Sequence, residues 1–297
     1  MVFKEKVNLF IRSVDDGLNR FFPSSDDVQK TISDAARYSL LGGGKRIRPI
    51  LCLAVGELFG TPMNDLIPYA CAVEMIHTFS LVHDDLPCMD NDDYRRGRLT
   101  SHKVYGEGIA VLAGDALANK AYEIMLQDCL AHPKDGKIEA AHVICHATGD
   151  KGMIGGQTVD IESEHQKIPY ELLKKMHSMK TGALIKAPIM AACFISQATC
   201  DEKYIFEQYA DAIGLAFQIK DDILDVTSDM ETMGKTVGKD VTEEKSTYVS
   251  LFGLKKAEEI LNTTTDQAFQ SLESIKAKGY NVEFLEILTE YLLRRIN

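Results

Sequence analysis

The sequence predicts an all-α fold, and three observations support this. Apolar residues recur three and four positions apart, whereas strand-like alternation is scarce; an example near the start is Val7, Phe10, Ile11, Val14 and Leu18. Glycine and proline lie mainly at breaks between such stretches, at residues 22–23, 42–44, 60–62, 106–108 and 132–133. Two stretches, residues 49–59 and 183–195, are apolar almost all round, which is typical of helices enclosed by other helices.

The length and composition indicate one domain with a large core. The chain has 297 residues, of which 45% are hydrophobic, and it contains no internal repeat, low-complexity tract or linker, so we expect one domain over residues 1–297. Acidic residues outnumber basic ones by 44 to 33, which gives a net charge of -11 and argues against nucleic-acid binding. An anionic ligand must therefore be held by local basic residues or by metals.

Composition also suggests where the protein is located. The longest uncharged stretch, residues 187–200, is too short to cross a bilayer and contains Pro188, so we expect no membrane span. The first residues carry charges of both signs and lack a long apolar signal core. Seven cysteines without a CxxC pair fit reduced thiols better than a disulfide framework or a zinc site, which favours the cytoplasm.

Two clusters of aspartates carry the strongest chemical signal. The first cluster has five aspartates between residues 84 and 93, among them Asp84, Asp85 and Asp90. Because Pro87 interrupts this segment, we expect a local kink in the helix and expect Asp84 and Asp90 to form the facing pair. In the second cluster Asp221 and Asp225 lie one helical turn apart, about 6 Å, on one face. Each cluster adjoins an apolar stretch.

Two facing acidic walls suit a magnesium-bound diphosphate. Magnesium prefers a few carboxylates together with phosphate oxygens and water. The alternative for either cluster alone is a solvated acidic face, because charge runs are usually exposed. Two clusters that both adjoin apolar helices make that alternative weaker.

Basic residues accompany the clusters. Residues 42–48 combine three glycines with three cations, Lys45, Arg46 and Arg48, just before an apolar helix, and this composition suits a phosphate; the alternative is an ordinary basic turn. The GxxxxGK[ST] spacing of a P-loop is absent from the sequence. The segment 230–245 is rich in glycine, lysine and threonine, and we interpret it as a mobile loop.

In order along the chain, these segments resemble the short-chain trans-prenyl diphosphate synthases, of the type whose first aspartate motif carries two extra residues. The resemblance covers nearly the whole chain. It rests on residues 43–49, 74–90 and 95–97, Gly155-Gly156-Gln157 with Asp160, Lys180-Thr181-Gly182, Phe217-Gln218, residues 221–225, Gly234-Lys235, and Gly238-Lys239-Asp240 with Lys245.

The resemblance implies a helical bundle around a deep central cavity, usually in a homodimer, and it assigns roles to the residues. Three Mg²⁺ ions, for which Mn²⁺ could substitute, are expected on the diphosphate of an allylic substrate. Their ligands would be Asp84, Asp90 and Asp221, with support from Asp85 and Asp225. Further support would come from Asp222, Gln157 and Asp160. The allylic diphosphate would also contact Arg95, Lys180, Thr181, Gln218, Lys235 and Lys245. Isopentenyl diphosphate, the second substrate, would be bound by Lys45, Arg48, His77 and Arg96.

The chemistry implied by the resemblance explains these roles. Ionisation of an allylic C–O bond releases a diphosphate, and cations that stabilise its developing charge lower the barrier. The carbocation then alkylates the double bond of isopentenyl diphosphate, and the departing diphosphate accepts the proton that is lost. Water must be excluded, so residues 234–245 are expected to act as a lid.

Product length should depend on the residues that close the cavity below Asp84. Phe79 and Ser80 lie five and four positions before it and should project towards that depth on a helix. An aromatic residue at this position resembles farnesyl diphosphate synthases, so we expect farnesyl diphosphate. The sequence that flanks Phe79 also resembles the geranylgeranyl synthases of plastids, so the alternative is a geranylgeranyl or geranyl diphosphate product.

Two other functions fit an all-α chain with aspartate motifs. A terpene cyclase typically replaces the second motif with an Asn/Ser/Glu-type triad, whereas this chain has aspartates at residues 221–225. An inactive regulatory subunit commonly lacks one motif, and both are present here. His77 and His83 lie among apolar residues, where a lone histidine is more often a hydrogen-bonded core residue than a ligand.

Overall fold

The computed structural model describes residues 2–133, 136–227 and 246–293 and confirms the all-α fold. Its helices are α1 (Phe3–Phe21), α2 (Lys30–Leu40), α3 (Ile47–Leu58), α4 (Met63–Asp84), α5 (Ser101–Tyr105), α6 (Glu107–Ala131), α7 (Lys137–Thr148), α8 (Met153–Glu162), α9 (Tyr170–His177), α10 (Ala183–Ile195), α11 (Cys200–Thr227), α12 (Tyr248–Phe252), α13 (Leu254–Lys276) and α14 (Glu283–Leu293). A π-helix, Ser178–Gly182, joins α9 to α10. Among the described residues, the strands are β1 (Tyr94–Arg95) and β2 (Arg98–Leu99), which form an antiparallel hairpin.

Two buried helices organise the core, as their sequences predict. In α3 all eight residues from Pro49 to Gly56 are buried, and in α10 only Ala183, Lys186 and Phe194 are not. Helix α10 packs on α3, α4, α7 and α11, while α4 packs mainly on α6 and α3, and α11 packs mainly on α13. Burial of these apolar faces is the main stabilising term. It also fixes the ends of α3, α4 and α11, where the charged motifs begin.

Proline and glycine residues allow the local geometry near the ends of the core helices. Pro49 lies in the first turn of α3, where its missing N–H removes no helical bond. Gly182 of the π-helix crosses α11 at Gly214, where an added Cβ would lie 3.1 Å from the Gly182 Cα. The small residues therefore let the π-helix approach α11 closely.

Within the described residues, one helical stretch, Tyr170–Ile195, has the length and hydropathy to cross a membrane. It joins α9, the π-helix and α10, and 56% of its most apolar window is buried inside the protein. A single stretch of this kind is weak support for a membrane span, because core helices meet the same criteria. All seven cysteines are free of disulfides.

Candidate active site

The first aspartate cluster lies where α4 ends. Asp84 is the last residue of the helix, and the chain then turns, so that the Asp90 N–H donates to the Asp84 carbonyl at 2.9 Å. The predicted kink within a helix is therefore wrong, because Pro87 lies beyond the helix end. A helix end followed by a tight turn brings Asp84 and Asp90 together, as the sequence predicts.

Asp85 faces the hairpin. Its carboxylate is 4% exposed and accepts a hydrogen bond from Arg95 Nε at 2.6 Å. Arg95 also lies 3.4 Å from Asp92, so both carboxylates hold its guanidinium. The Asp85 carboxylate thus fixes Arg95 on β1, and this is the contact through which it supports the site.

The three arginines of the β1–β2 hairpin point to different partners. The sequence did not predict this hairpin. Its turn is Arg96-Gly97, with both residues at positive φ (53° and 73°). Arg95 turns towards Asp85, Arg96 Nη1 donates to the Gly43 carbonyl, and Arg98 lies 4.1 Å from the centroid of the Tyr38 ring. Strands of two residues leave no alternation to detect in a sequence.

The glycines at residues 42–44 leave room for Arg96. At Gly44 (φ 134°) an added Cβ would lie 2.8 Å from the Arg96 Cζ, whereas at Gly43 nothing lies within 4 Å. Lys45 follows and is exposed. The glycine run therefore leaves space for the Arg96 guanidinium directly before Lys45 in the chain.

Arg46 does not belong to the phosphate-binding group that its charge suggested. Its side chain is 3% exposed and turns inward, with Nη1 donating to Glu74 Oε1 at 2.8 Å and Nε to Asp15 Oδ1 at 3.0 Å. The signal that could have revealed this is Glu74 itself, a single acid in the apolar stretch of α4, since a buried carboxylate needs a cationic partner.

Arg48 and His77 form a half-buried corner between α3 and α4, in which Arg48 carries the positive charge. Burial lowers the pKa of Arg48, and Arg96 lowers it further, while Glu74 and Asp221 act in the opposite direction. The pKa of His77 lies well below its usual value because of burial and then of the charge on Arg48, with Arg96 adding to it. The Arg48 Nε is buried without a hydrogen-bond partner. An anion that accepts from Arg48 would satisfy this corner.

Lys180 is positioned by close packing of the π-helix on α8. At Gly156 an added Cβ would overlap the Lys180 backbone and lie 2.6 Å from its Cα. The Lys180 ammonium then contacts Asp160 Oδ2 at 2.5 Å, and Gln157 lies half-buried on the same helix as Asp160. A π-turn inside a helical stretch often marks a functional site. Asp160, predicted to support the site, therefore holds Lys180, which is predicted to bind the allylic diphosphate.

A chain of hydrogen bonds continues from the π-helix to α12. Thr181 Oγ1 donates to Gln218 Oε1 at 2.8 Å, and Gln218 Nε2 donates to Asp222 Oδ1 at 3.3 Å. The other oxygen of Asp222 accepts from the Tyr248 N–H at 2.8 Å. Asp222 is 3% exposed, so it points into the protein and anchors the first residue of α12. Asp221, its neighbour, is partly exposed.

Charges on one side of the bundle act on groups of the other side, and we call the region between the two aspartate clusters the chamber. Burial raises the pKa of Asp84 to about 6; Lys180 opposes this rise, and Asp90 adds to it. Arg48, in turn, is within electrostatic range of Asp221. Residues of α3 and α4 thus face residues of the π-helix and α11. Asp225 is buried on α11, one turn after Asp221.

The donor set fits magnesium held jointly with a phosphate. Among the described residues, no group of three His, Cys, Asp or Glu side chains could hold a metal ion by themselves. Magnesium usually takes one or two carboxylates plus substrate phosphates and water. Burial of Asp84 beside Asp90 places like charges together, which a cation would relieve.

The predicted floor residues, Phe79 and Ser80, lie in the last two turns of α4, near His83, which packs on α6. Phe79 is 8% exposed, and its ring packs edge-on against His83, with 5.5 Å between centroids. His83 Nε2 lies 2.9 Å from the Val111 carbonyl, and a Cβ at Gly114 would overlap its ring, so His83 is a packing residue. Ser80 donates to the His77 carbonyl of its own helix. Lys235 and Lys245 lie outside the described residues.

The fold and this site define a prenyltransferase, an all-helical enzyme whose charged groups act on diphosphates. The sequence model of the family described as "Polyprenyl synthetase" matches residues 29–281. The chain belongs to this family, whose members use a divalent metal to bind diphosphate.

Relatives and solved structures agree on the family and differ in product. The farnesyl diphosphate synthase of Micrococcus luteus is 41% identical over 278 residues, covering 94% of this chain and 92% of that protein. The geranylgeranyl diphosphate synthase of Cyanophora paradoxa is 45% identical over 245 residues, covering 82% and 81%. The crystal structure of an FPP/GFPP synthase from Zymomonas mobilis is similar, with a TM-score of 0.86, 32% identity and 98% of each chain covered.

Proposed function

We propose that this prenyltransferase condenses isopentenyl diphosphate with dimethylallyl and geranyl diphosphates and releases farnesyl diphosphate. The observation that carries the proposal is that the charges of the two motifs act on each other across the bundle, since Asp84 feels the charge of Lys180 and Arg48 feels the charge of Asp221. Each diphosphate has its own cations there. Lys180 would bind the allylic diphosphate, and Lys45, Arg48 and Arg96 would bind isopentenyl diphosphate. An aromatic side chain, Phe79, lies below Asp84 on the same helix.

The chain's own residues account for the steps. Asp84, Asp90 and Asp221 would hold Mg²⁺, which when bound neutralises the allylic diphosphate and makes it a better leaving group. Lys180, fixed by Asp160, stabilises the charge that develops as the C–O bond breaks. Arg48 and neutral His77 hold the second diphosphate, so that its double bond can attack the allylic carbon. The released diphosphate takes the proton lost when the new double bond forms.

Phe79 supports a short product. Phe79 lies on α4 five residues before Asp84, and its ring packs against His83, so a growing prenyl chain that extended along α4 would meet a bulky side chain. The alternative is geranylgeranyl diphosphate, which the names of several relatives favour.

Product analysis tests the proposal. The purified chain with Mg²⁺ and isopentenyl diphosphate is given dimethylallyl, geranyl or farnesyl diphosphate in turn, and products are separated by chromatography. We expect mainly the C15 product from the first two primers. A dominant C20 product would support the geranylgeranyl alternative, and consumption of farnesyl diphosphate alone would indicate a cyclase. An inactive chain would contradict the proposal.

Phe79→Ala sharpens the assignment of the floor. Removal of the ring opens space below Asp84, so we expect the product to lengthen from C15 to C20, again measured by chromatography. Phe206→Ala is the matched control, because Phe206 is also a buried ring and packs on Phe59 and Tyr209 instead of near Asp84. If Phe79→Ala still gives only C15, another residue forms the floor.

We also propose that the chain forms a homodimer in the cytoplasm. Helix α6 exposes four large apolar residues, and α7 exposes Ile138, which is 59% exposed; those on α6 are Val111, Leu112, Leu126 and Leu130. An exposed apolar patch of this kind is typical of a protein interface. Light scattering after size exclusion should give twice the mass of the chain, and Leu112→Glu with Leu126→Glu should give the monomer mass.

A further inference from the structure

Arg46 lies between two predicted ligands of isopentenyl diphosphate but turns away from them. Lys45 is exposed before it, and Arg48 follows two residues later in the first turn of α3. The Arg46 guanidinium instead bonds three different elements: Asp15 of α1, the Leu40 carbonyl at the end of α2 and Glu74 of α4. One side chain therefore ties the start of α3 to three helices.

The backbone at Arg46 depends on these contacts. Its φ of 51° and ψ of 35° are left-handed, a region that residues with a Cβ disfavour. The turn is what directs Lys45 outward while Arg48, on α3, enters the half-buried corner beside His77. A conformation of this kind persists only where the surroundings hold it. The three contacts of the guanidinium supply that restraint.

Glu74 connects the Arg46 contacts with the Arg48–His77 corner. It is 2% exposed and lies one turn before His77 on α4. Besides its ion pair with Arg46, it is the larger of the two negative charges that raise the pKa of Arg48, the other being Asp221. The carboxylate of Glu74 is thus shared between a residue that shapes the loop and a residue aimed at the substrate.

We propose that the Arg46–Glu74 ion pair positions Lys45 and Arg48 for isopentenyl diphosphate. Arg46 and Glu74 are positioning residues, since the pair lies beneath the site and does not touch the substrate. The inference depends on the proposed function, which assigns Lys45 and Arg48 to that diphosphate.

If the Arg46–Glu74 ion pair only stabilised the fold, an apolar pair of similar size could replace it without any change in substrate binding. Replacement of a buried ion pair by apolar residues of similar size is often neutral for stability, whereas removal of one partner leaves an uncompensated charge. An apolar pair can fill the space, but it cannot bond Asp15, Leu40 and the α4 carboxylate in one fixed arrangement. The double variant Arg46→Met with Glu74→Leu therefore separates packing from positioning.

The matched control is a second buried ion pair, at the far end of α4. Lys137 is 1% exposed and lies 2.7 Å from Asp128 and 3.8 Å from Asp65. Asp65 and Asp84 are 19 residues apart on α4, or roughly 28 Å along the helix. Lys137→Met with Asp128→Leu removes a comparable pair without touching the chamber.

The experiment measures thermal unfolding, kcat and the KM for each substrate. For Arg46→Met with Glu74→Leu we expect a folded protein whose KM for isopentenyl diphosphate rises about tenfold or more, with the allylic KM within about twofold. Arg46→Lys keeps the charge but has one donor nitrogen in place of three, so it should show a smaller rise. The control pair should leave both KM values unchanged.

Two results distinguish the possible failures. An unchanged KM for isopentenyl diphosphate in the Arg46/Glu74 double variant, while Arg48→Met raises it, would overturn the positioning role alone. If Arg48→Met itself leaves that KM unchanged, the proposed function is at fault. Should the double variant fail to fold, Arg46→Lys and Glu74→Gln carry the same comparison, and normal KM values in both would overturn the inference.

Discussion

The two sides of the chamber are built in different ways. The arginine side, formed by Lys45, Arg48, His77 and Arg96, depends on charge pairs and on left-handed backbone at Gly44, Arg46 and Arg96. The lysine side, formed by Lys180, Thr181 and Gln218, depends on close packing of the π-helix against Gly156 and Gly214. We therefore expect the arginine side to be sensitive to changes of charge and the lysine side to the addition of a single methyl group.

Asp84, the first residue of the first aspartate cluster, should give the largest effect. Asp84→Ala removes a predicted metal ligand but leaves the Asp84 carbonyl that accepts from Asp90. We expect turnover with Mg²⁺ to fall about 10³-fold or more, because stabilisation of the leaving diphosphate is lost. Asp26→Ala, at a fully exposed carboxylate, is the control. Turnover that stays normal in Asp84→Ala would contradict the metal assignment.

Gly156→Ala tests the lysine side. The added methyl group overlaps the Lys180 backbone, so we expect kcat/KM for the allylic substrate to fall about 10²-fold and the free energy of unfolding to drop by about 1–3 kcal/mol. Gly149→Ala is matched, since its nearest atoms lie 3.7 Å away. Steady-state kinetics and chemical denaturation measure both effects. If the two variants behave alike, close packing does not position Lys180.

Gly44→Ala tests the arginine side with a smaller effect. Both Gly43 and Gly44 have positive φ, so alanine at either position should cost about 1–2 kcal/mol of stability. Only at Gly44 does the methyl group meet Arg96, so only Gly44→Ala should raise the KM for isopentenyl diphosphate, by about tenfold. Equal KM values in the two variants would show that strain alone matters.

The core helices and the facing aspartates could be predicted because their signals are local. Continuous apolar runs identify α3 and α10, and acids that directly follow apolar helices identify Asp84 and Asp221. The direction of a side chain is less accessible. Nothing in residues 42–48 distinguishes Arg46, which bonds Glu74 28 positions away, from Arg48, which enters the chamber.

Contacts between distant segments explain what the sequence left undetermined. The role of Asp222 depends on the Tyr248 N–H, 26 residues later, and that of Lys180 on a glycine of α8. The π-helix arises where Gly156 and Gly214 admit a close approach, which no pattern within residues 178–182 indicates. The hairpin of Arg95 is held at shorter range, by Asp85 ten residues before Arg95 and by the bond from Thr100 to the Asp92 carbonyl eight residues before it, and depends on side-chain directions that the sequence does not give.

The central claim is that the two sides bind different diphosphates, and two-substrate kinetics of Arg48→Met and Lys180→Met test it most directly. Each variant loses charge-assisted hydrogen bonds to one substrate, so the affected KM should rise about tenfold or more. The account predicts a rise for isopentenyl diphosphate only in Arg48→Met and for the allylic substrate only in Lys180→Met. A rise of the same KM in both variants would contradict it.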